Sequence, residues 1–400
     1  MKIGILTLIG EYNYGNLLQS YALQTVLQRL GHEVVVLNRR GKAPTIQLQC
    51  IRILSYVKSW FSRYVLGNKE RLIVNPLAED YNPKSYCDKS ELQRFAKEYI
   101  VRTNPLRSTQ AMQNYFEKVA LDTLVVGSDQ VWREECVYSI EEMFLSFIPN
   151  ESHAKRIAYA ASFGTDENFI SSEKISTCIE LLKRFEAVSV REESGIKICG
   201  DQFGVTAWHV LDPTMLLSTE DYRKIVGQYP AALKSNGDLL CYVLDENDIL
   251  TNAIESFAAQ NKLTPFSVYK IELNGNKKCR YQLPSIEQWL KGFDETKYVI
   301  TDSFHATVFS ILFHKPFICV GNKYRGMSRF HSLLKMFGLE NRLVDVNHLN
   351  ELNLTEIDWD SVDEILFRKR KESMAFIVDS LNISPSLIGI HKNRKLKKNT

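Results

Sequence analysis

The stretch TDSFHATVFSILFHKPFICVGNKYRGMSRF, residues 301–330, gathers an imidazole and several cations around a helix start. The strand KYVIT ends at Asp302 and Ser303, either of which can cap the helix ATVFSILFH, and the strand PFICVG then exits into NKYRGMSR. Consecutive parallel strands discharge at one sheet edge. His305 is therefore expected at a helix N-terminus beside Lys323, Arg325 and Arg329. Free backbone N–H groups, a helix dipole and clustered cations together make a site for phosphate or carboxylate. An imidazole in such a place is suited to general-acid work. The plainer alternative is that His305 caps its own helix and the basic residues form a solvated loop.

A second candidate lies in AVSVREESG, residues 187–195, where Arg191 follows directly on an apolar strand. A long cation there either reaches into a cleft or pairs locally with Glu192 or Glu193. The loops NYGN, carrying Asn16, and GSDQVW, carrying Asp129, also follow strands and offer amide, carboxylate and aromatic groups fitted to sugar hydroxyls. Turn chemistry alone would account for Gly15 and Gly127. GxGxxG after the first strand, GxxxxGK[ST], GxSxG and HExxH are all missing, which argues against dinucleotide, P-loop, serine-hydrolase and zinc-protease chemistry. No metal is expected.

The elements that must position these residues alternate strand and helix. KIGILTLI, LLQSYALQTVLQRL and HEVVVLN form an opening βαβ unit, and TLVVGSD, RIAYAASFG, AVSVREES, DLLCYVL, KYVITDS and PFICVGN continue the pattern. Mostly parallel sheets with function at the strands' carboxyl ends are the expected result. At 400 residues the chain is long for one core, and a boundary is expected near 213–220, after HVLDPTMLL. This gives units over 1–215 and 216–360, then a helix within 361–400 that crosses back and ends in the basic tail HKNRKLKKNT. Fifty Lys and Arg against 47 Asp and Glu leave +3, too balanced for a nucleic-acid-coating protein. Eight scattered cysteines without CxxC favour reduced thiols and a cytoplasmic setting. No apolar run reaches the ~18 residues of a membrane span.

CIRILSYVKSWFSRYVLG, residues 50–67, is amphipathic at helical spacing. Ile51, Leu54, Val57, Phe61, Tyr64 and Val65 gather on one side with Trp60 at the margin. Arg52, Ser55, Ser59, Ser62 and Arg63 fall opposite. The stripe reads first as a face that covers the sheet. Contact with the inner face of an anionic membrane, helped by the basic tail, is the alternative.

Taken together, GILTLIGEYNYGNLLQSYALQ, VVGSDQVW, IAYAASFG, VSVREESG, VLDPTMLL, VITDSFHATVFSILFHKPF and NKYRGMSRF resemble, in that order, the polysaccharide pyruvyl transferase family. The resemblance spans about residues 1–340. It implies an α/β fold of two Rossmann-like domains with mostly parallel sheets facing across a cleft, as in GT-B glycosyltransferases. It implies transfer of pyruvate from phosphoenolpyruvate to two hydroxyls of a sugar as a cyclic ketal. The acceptor would be a galactose-type sugar, free or in a lipid-linked repeat unit of capsular or exopolysaccharide synthesis, and no cofactor beyond the donor is called for. His305 aligns with the family's histidine and is the candidate acid. Arg191 is implied to bind the donor; Lys323 and Arg325 join it by position in the exit loop; Asn16 and Asp129 would face the acceptor. Members often carry an arginine two residues before this histidine, where this chain has Ser303. Either Arg325 or Arg329 supplies that charge, or the donor differs. A nucleotide-sugar glycosyltransferase and a non-catalytic glycan-binding protein are the competing readings.

Overall fold

The computed structural model describes residues 1–382 apart from 10–12, 69–72, 74, 77–86, 168–169, 230–234, 270, 273–280, 322–325 and 352–355. The first part of the chain forms β1 (Lys2–Leu6), α1 (Tyr14–Arg29), β2 (Glu33–Val36), α2 (Ile46–Tyr64), β3 (Cys87–Asp88), α3 (Ser90–Tyr99) and α4 (Thr109–Val119). There follow β4 (Thr123–Asp129), α5 (Ile140–Met143), β5 (Lys155–Ala161), α6 (Ser172–Leu182), β6 (Ala187–Val190), α7 (Glu193–Asp201) and β7 (Trp208–His209). The remainder forms α8 (Thr219–Gly227), β8 (Leu239–Tyr242), α9 (Asp248–Asn261), β9 (Pro265–Phe266), β10 (Ile271–Glu272), β11 (Tyr281–Gln282) and α10 (Ile286–Glu295). It closes with β12 (Tyr298–Thr301), α11 (Phe304–Leu312), β13 (Phe317–Val320), α12 (Ser328–Phe337), β14 (Leu343–Val344) and α13 (Trp359–Asn382).

Two parallel sheets result, one of six strands in the order β2-β1-β4-β5-β6-β7 and one of five in the order β14-β13-β12-β8-β9. Every residue of β4 and of β13 is buried, as strands covered by helices on both faces must be. β3, from the first half of the chain, pairs in parallel with β11 from the second, in a third sheet that no strand pattern in the sequence announced.

The two units share one apolar core at the start of α1. The loop expected over Asn13–Asn16 is instead the first turn of this helix. Its cap is Asn13, whose side chain accepts from the N–H groups of Gly15 (2.9 Å) and Asn16 (3.4 Å). Tyr14 reaches into the second unit, where its ring stacks on Trp289 at 5.4 Å and its hydroxyl donates to the Pro284 carbonyl at 2.8 Å. α13 returns to the first unit. Ser373 Oγ accepts from Leu211 N–H, Arg370 donates to the Met215 and Leu217 carbonyls, and Phe376 rests on Tyr159. The basic tail lies outside the described residues.

The sheet-covering role expected of residues 50–67 is not what the structure shows. Within α2 only Ser59 is buried, and the apolar stripe faces away from the protein: Leu54 is 61% exposed and Phe61 50%. The serine and arginine side is the one turned inward, so the first sheet takes its cover from other helices, α1 above all.

Candidate active site

The carboxyl ends of β4 and β6 and the first turn of α1 meet the N-terminus of α11 from the opposite unit. A bulge shifts the β5–β6 register between Ala158 and Ala161, next to where Arg191 leaves β6. Arg191 is almost fully buried. Its Nη1 donates to Asp212 Oδ2 at 3.0 Å and its Nη2 to Asp129 Oδ1 at 3.2 Å, while Nε lies 4.0 Å from Glu192 Oε2. The guanidinium lies 4.4 Å from the centroid of Phe304, and Arg329 approaches the same ring at 5.7 Å.

Asp212 is the hub. Its Oδ1 accepts from the N–H and hydroxyl of Thr214 at 3.0 and 2.7 Å, and its Oδ2 accepts from Ser128 Oγ at 3.3 Å. His305 Nε2 stands 3.7 Å from the same Oδ2, within ionic reach but beyond a hydrogen bond. The imidazole is seated against Gly15. A Cβ there would fall 2.0 Å from His305 Nδ1, so only glycine lets α1 pass this close to the ring. Gly326 (φ +80°) plays the corresponding part on the far side, where a Cβ would fall 1.9 Å from the Gly164 carbonyl oxygen of the first unit.

Charge in this seam is nearly balanced. Burial alone raises the Asp212 carboxyl, but His305, Arg191 and Thr214 hold it well below the usual carboxylate range; Asp129 is likewise lowered against burial by Arg191, His305 and Arg329. Glu192 goes the other way: burial raises it despite Arg191, and its Oε1 accepts from the N–H groups of Phe163 and Gly164. Burial, with Arg191 alongside, brings Arg329 down to about 10, still a cation at neutral pH. Arg191 itself is raised, because Asp129, Asp212 and Glu192 outweigh its burial. Asn16 Oδ1, Gln19 Oε1, Arg191 Nε, Glu192 Oε2 and His305 Nε2 are buried with no hydrogen-bond partner in the protein. Buried polar atoms without partners are uncommon enough to mark a site for a ligand bearing its own donors and acceptors.

The structure thus brings together His305, Arg191, Asp129 and Arg329. It places Ser303 as the cap of α11, accepting from Ala306 N–H, and Asn16 inside the first turn of α1. Asp302 is not the cap; its carboxylate accepts from the N–H groups of Leu244 and Asp245. Lys323 and Arg325 lie outside the described residues. Three members were missed as site residues. In the sequence Asp212 marks only the end of the first unit, in HVLDPTMLL, Gly15 reads as a turn residue and Phe304 carries no signal; an acid directly after a short strand in VLDPT is the available clue to the first. Cavities of about 540 Å³, at Asn38, Arg40, Lys97 and Arg102, and of about 710 Å³, at Met1, Glu117 and His153, are lined by none of the cluster. Among the described residues no group of three or more His, Cys, Asp or Glu is arranged to hold a metal ion.

Two parallel α/β units with a buried ionic cluster in their seam define a GT-B-like architecture. UDP-GlcNAc 2-epimerase from Neisseria meningitidis, solved bound to UDP-GlcNAc, superposes with a TM-score of 0.50 at 11% identity, covering 95% of this chain and 99% of the epimerase. The Methanocaldococcus jannaschii UDP-GlcNAc 2-epimerase gives 0.47 at 12% identity (95% and 99% covered), and the spinosyn forosaminyltransferase SpnP gives 0.45 at 13% (96% and 99% covered). No curated protein matches the chain in sequence. The family model of the polysaccharide pyruvyl transferases matches residues 13–324, most of the chain, and the chain belongs to that family.

Proposed function

We propose that the protein transfers the pyruvate unit of phosphoenolpyruvate to two hydroxyls of a sugar and closes a cyclic ketal. The acceptor is a galactose-type unit, free or lipid-linked, in capsular or exopolysaccharide assembly on the cytoplasmic side. The observation that supports this most is the setting of His305: a buried imidazole on Gly15, at a helix N-terminus, 3.7 Å from an ionised Asp212 and beside the Arg191–Arg329 pair. Family membership supports the polysaccharide context.

In this reading protonated His305 gives its proton to the methylene carbon of the donor, making a methyl group and an oxocarbenium-like centre. A sugar hydroxyl adds to that carbon and loses its proton, phosphate departs with the C–O bonding pair, and the second hydroxyl closes the ring. The products are the ketal and inorganic phosphate. Asp212 holds a fixed negative charge near Nε2 as charge moves, a preorganised electrostatic contribution of the kind that dominates many enzymes. Arg191 and Arg329, whose guanidiniums flank Phe304, are assigned to the donor's charges, and Arg329 or Arg325 stands in for the arginine that Ser303 replaces, with Lys323 beside them in chain order. Asn16 Oδ1 is assigned to an acceptor hydroxyl.

Phosphate release from phosphoenolpyruvate, measured with galactose-type acceptors, tests the reading. His305→Ala should abolish release while the melting curve stays cooperative. Stabilisation by UDP or GDP but not by phosphoenolpyruvate would select a nucleotide-sugar transferase instead.

A further inference from the structure

α2 is amphipathic in the reverse sense to a helix that covers a core. Ile46, Ile53, Leu54, Val57, Trp60 and Phe61 form its outer stripe, and all are exposed, Ile46 to 79%. Ser55, Ser59 and Ser62, with Arg52 and Arg63, form the side turned to the protein, where Ser59 is 3% exposed and the others half-buried. Soluble proteins rarely display a contiguous apolar surface of this kind unless something covers it.

Charge and aromatic placement identify the cover. From Val34 to Lys69 the sequence holds seven Lys or Arg and no Asp or Glu. Arg39 is paired with Glu142, Arg40 is buried and Arg52 and Arg63 lie on the inner side, while Lys42 and Lys58 stand exposed, the one ahead of the stripe and the other beside its middle. Trp60 and Tyr64 lie together at 5.4 Å near the end of the helix, an aromatic pair of the type that settles at headgroup depth. Among the described residues no helix is long and apolar enough to cross a membrane, so α2 is built to lie in an interface. A second copy docked on this face would set one acid-free basic segment against another. We infer that α2 is a membrane-interface helix that inserts its Ile46–Phe61 stripe into an anionic bilayer. The inference holds whatever reaction the site performs.

The test is sedimentation of the full chain with vesicles of phosphatidylcholine containing a minority of phosphatidylglycerol, against pure phosphatidylcholine. Binding is expected to the anionic vesicles and to fall as salt is raised. Val57→Ser with Phe61→Ser should weaken it at least about tenfold, from the apolar area lost to the bilayer. Lys58→Glu should weaken it about fivefold or more, from the charge lost to the anionic surface. Circular dichroism of each variant should match the parent. Absence of binding to either vesicle, or binding indifferent to lipid charge, overturns the inference. So does a concentration-dependent dimer, without vesicle binding, that the Val57/Phe61 pair of changes dissolves; that result assigns the face to a second copy.

Discussion

The seam at Asp212 and the outer stripe of α2 break the ordinary partition of residues in opposite directions. In the seam, two guanidiniums, three carboxylates and an imidazole are removed from water; on α2, isoleucine, leucine and phenylalanine are left in it. Each arrangement is costly in isolation, and each is the kind of departure that carries information, unlike a buried leucine or an exposed lysine. The difference lies in how the cost is offset. The seam offsets its own through internal ion pairs, so its integrity is a property of the folded chain. The helix has no internal offset, so its stripe is expected to matter to stability hardly at all and to association a great deal.

Asp212→Asn gives the largest effect on the first half of that contrast. It keeps the shape and an acceptor for Thr214 but leaves Arg191 with less compensation, and removing one partner of a buried ionic group costs about 3–5 kcal/mol. Chemical denaturation should show that loss, with phosphate release abolished as well. A variant within 1 kcal/mol of the parent, a bound set by the roughly 1 kcal/mol of an ordinary substitution, would mean the cluster is not the self-compensated unit described. Acid sharpens the same point. The carboxyls of Asp212 and Asp129 are lowered in the fold, so their contribution is present above the unfolded value of about 3.9 and is lost as pH falls below it. The Asp212→Asn variant should therefore lose less stability than the parent between neutral pH and the acid limb.

Gly15→Ala comes next, because it separates the imidazole from the ion pairs. The added methyl meets His305 rather than Arg191, and overpacking of this size costs about 1–3 kcal/mol. Phosphate release should fall by far more than that stability loss explains, since the ring is pushed from its seat. Full activity with a normal melting temperature would show that the ring does not depend on the seat that Gly15 provides.

Much of this architecture is legible in the sequence, because short apolar runs such as TLVV and PFICV that end in turn residues fit strands buried on both faces. Three residues of the cluster can be named from the sequence for a related reason: Asp129 and Arg191 stand at the carboxyl ends of β4 and β6, and His305 at the start of the helix that follows β12. What was not legible depends on distant pairing. Asp212 becomes a hub only when β6 and β4 bring Arg191 and Ser128 to it, and Gly15 is constrained only by a histidine from the other unit. Pairing of β3 with β11 is equally non-local. α2 failed differently. Its periodicity reports a stripe but not which way the stripe turns, and only the inward serines decide that.

Val57→Ser with Phe61→Ser is therefore the smallest expected effect and the one that decides between the two meanings of that stripe. If it covered a core, the phenylalanine alone would contribute about 3–5 kcal/mol and the pair would unfold a marginal domain. Phe61 is half exposed and Val57 53% exposed, so water already reaches what the serines would open. The pair should alter stability by no more than about 0.5 kcal/mol, in the range of ordinary surface changes. Serine also lowers helix propensity slightly at each site, which sets the sign of any residue of effect as destabilising. A loss above about 2 kcal/mol, the scale of a cavity in a packed core, would show that the stripe is packed after all. The contrast with Asp212→Asn then collapses, since both regions would be holding the fold rather than one holding it and the other holding a surface.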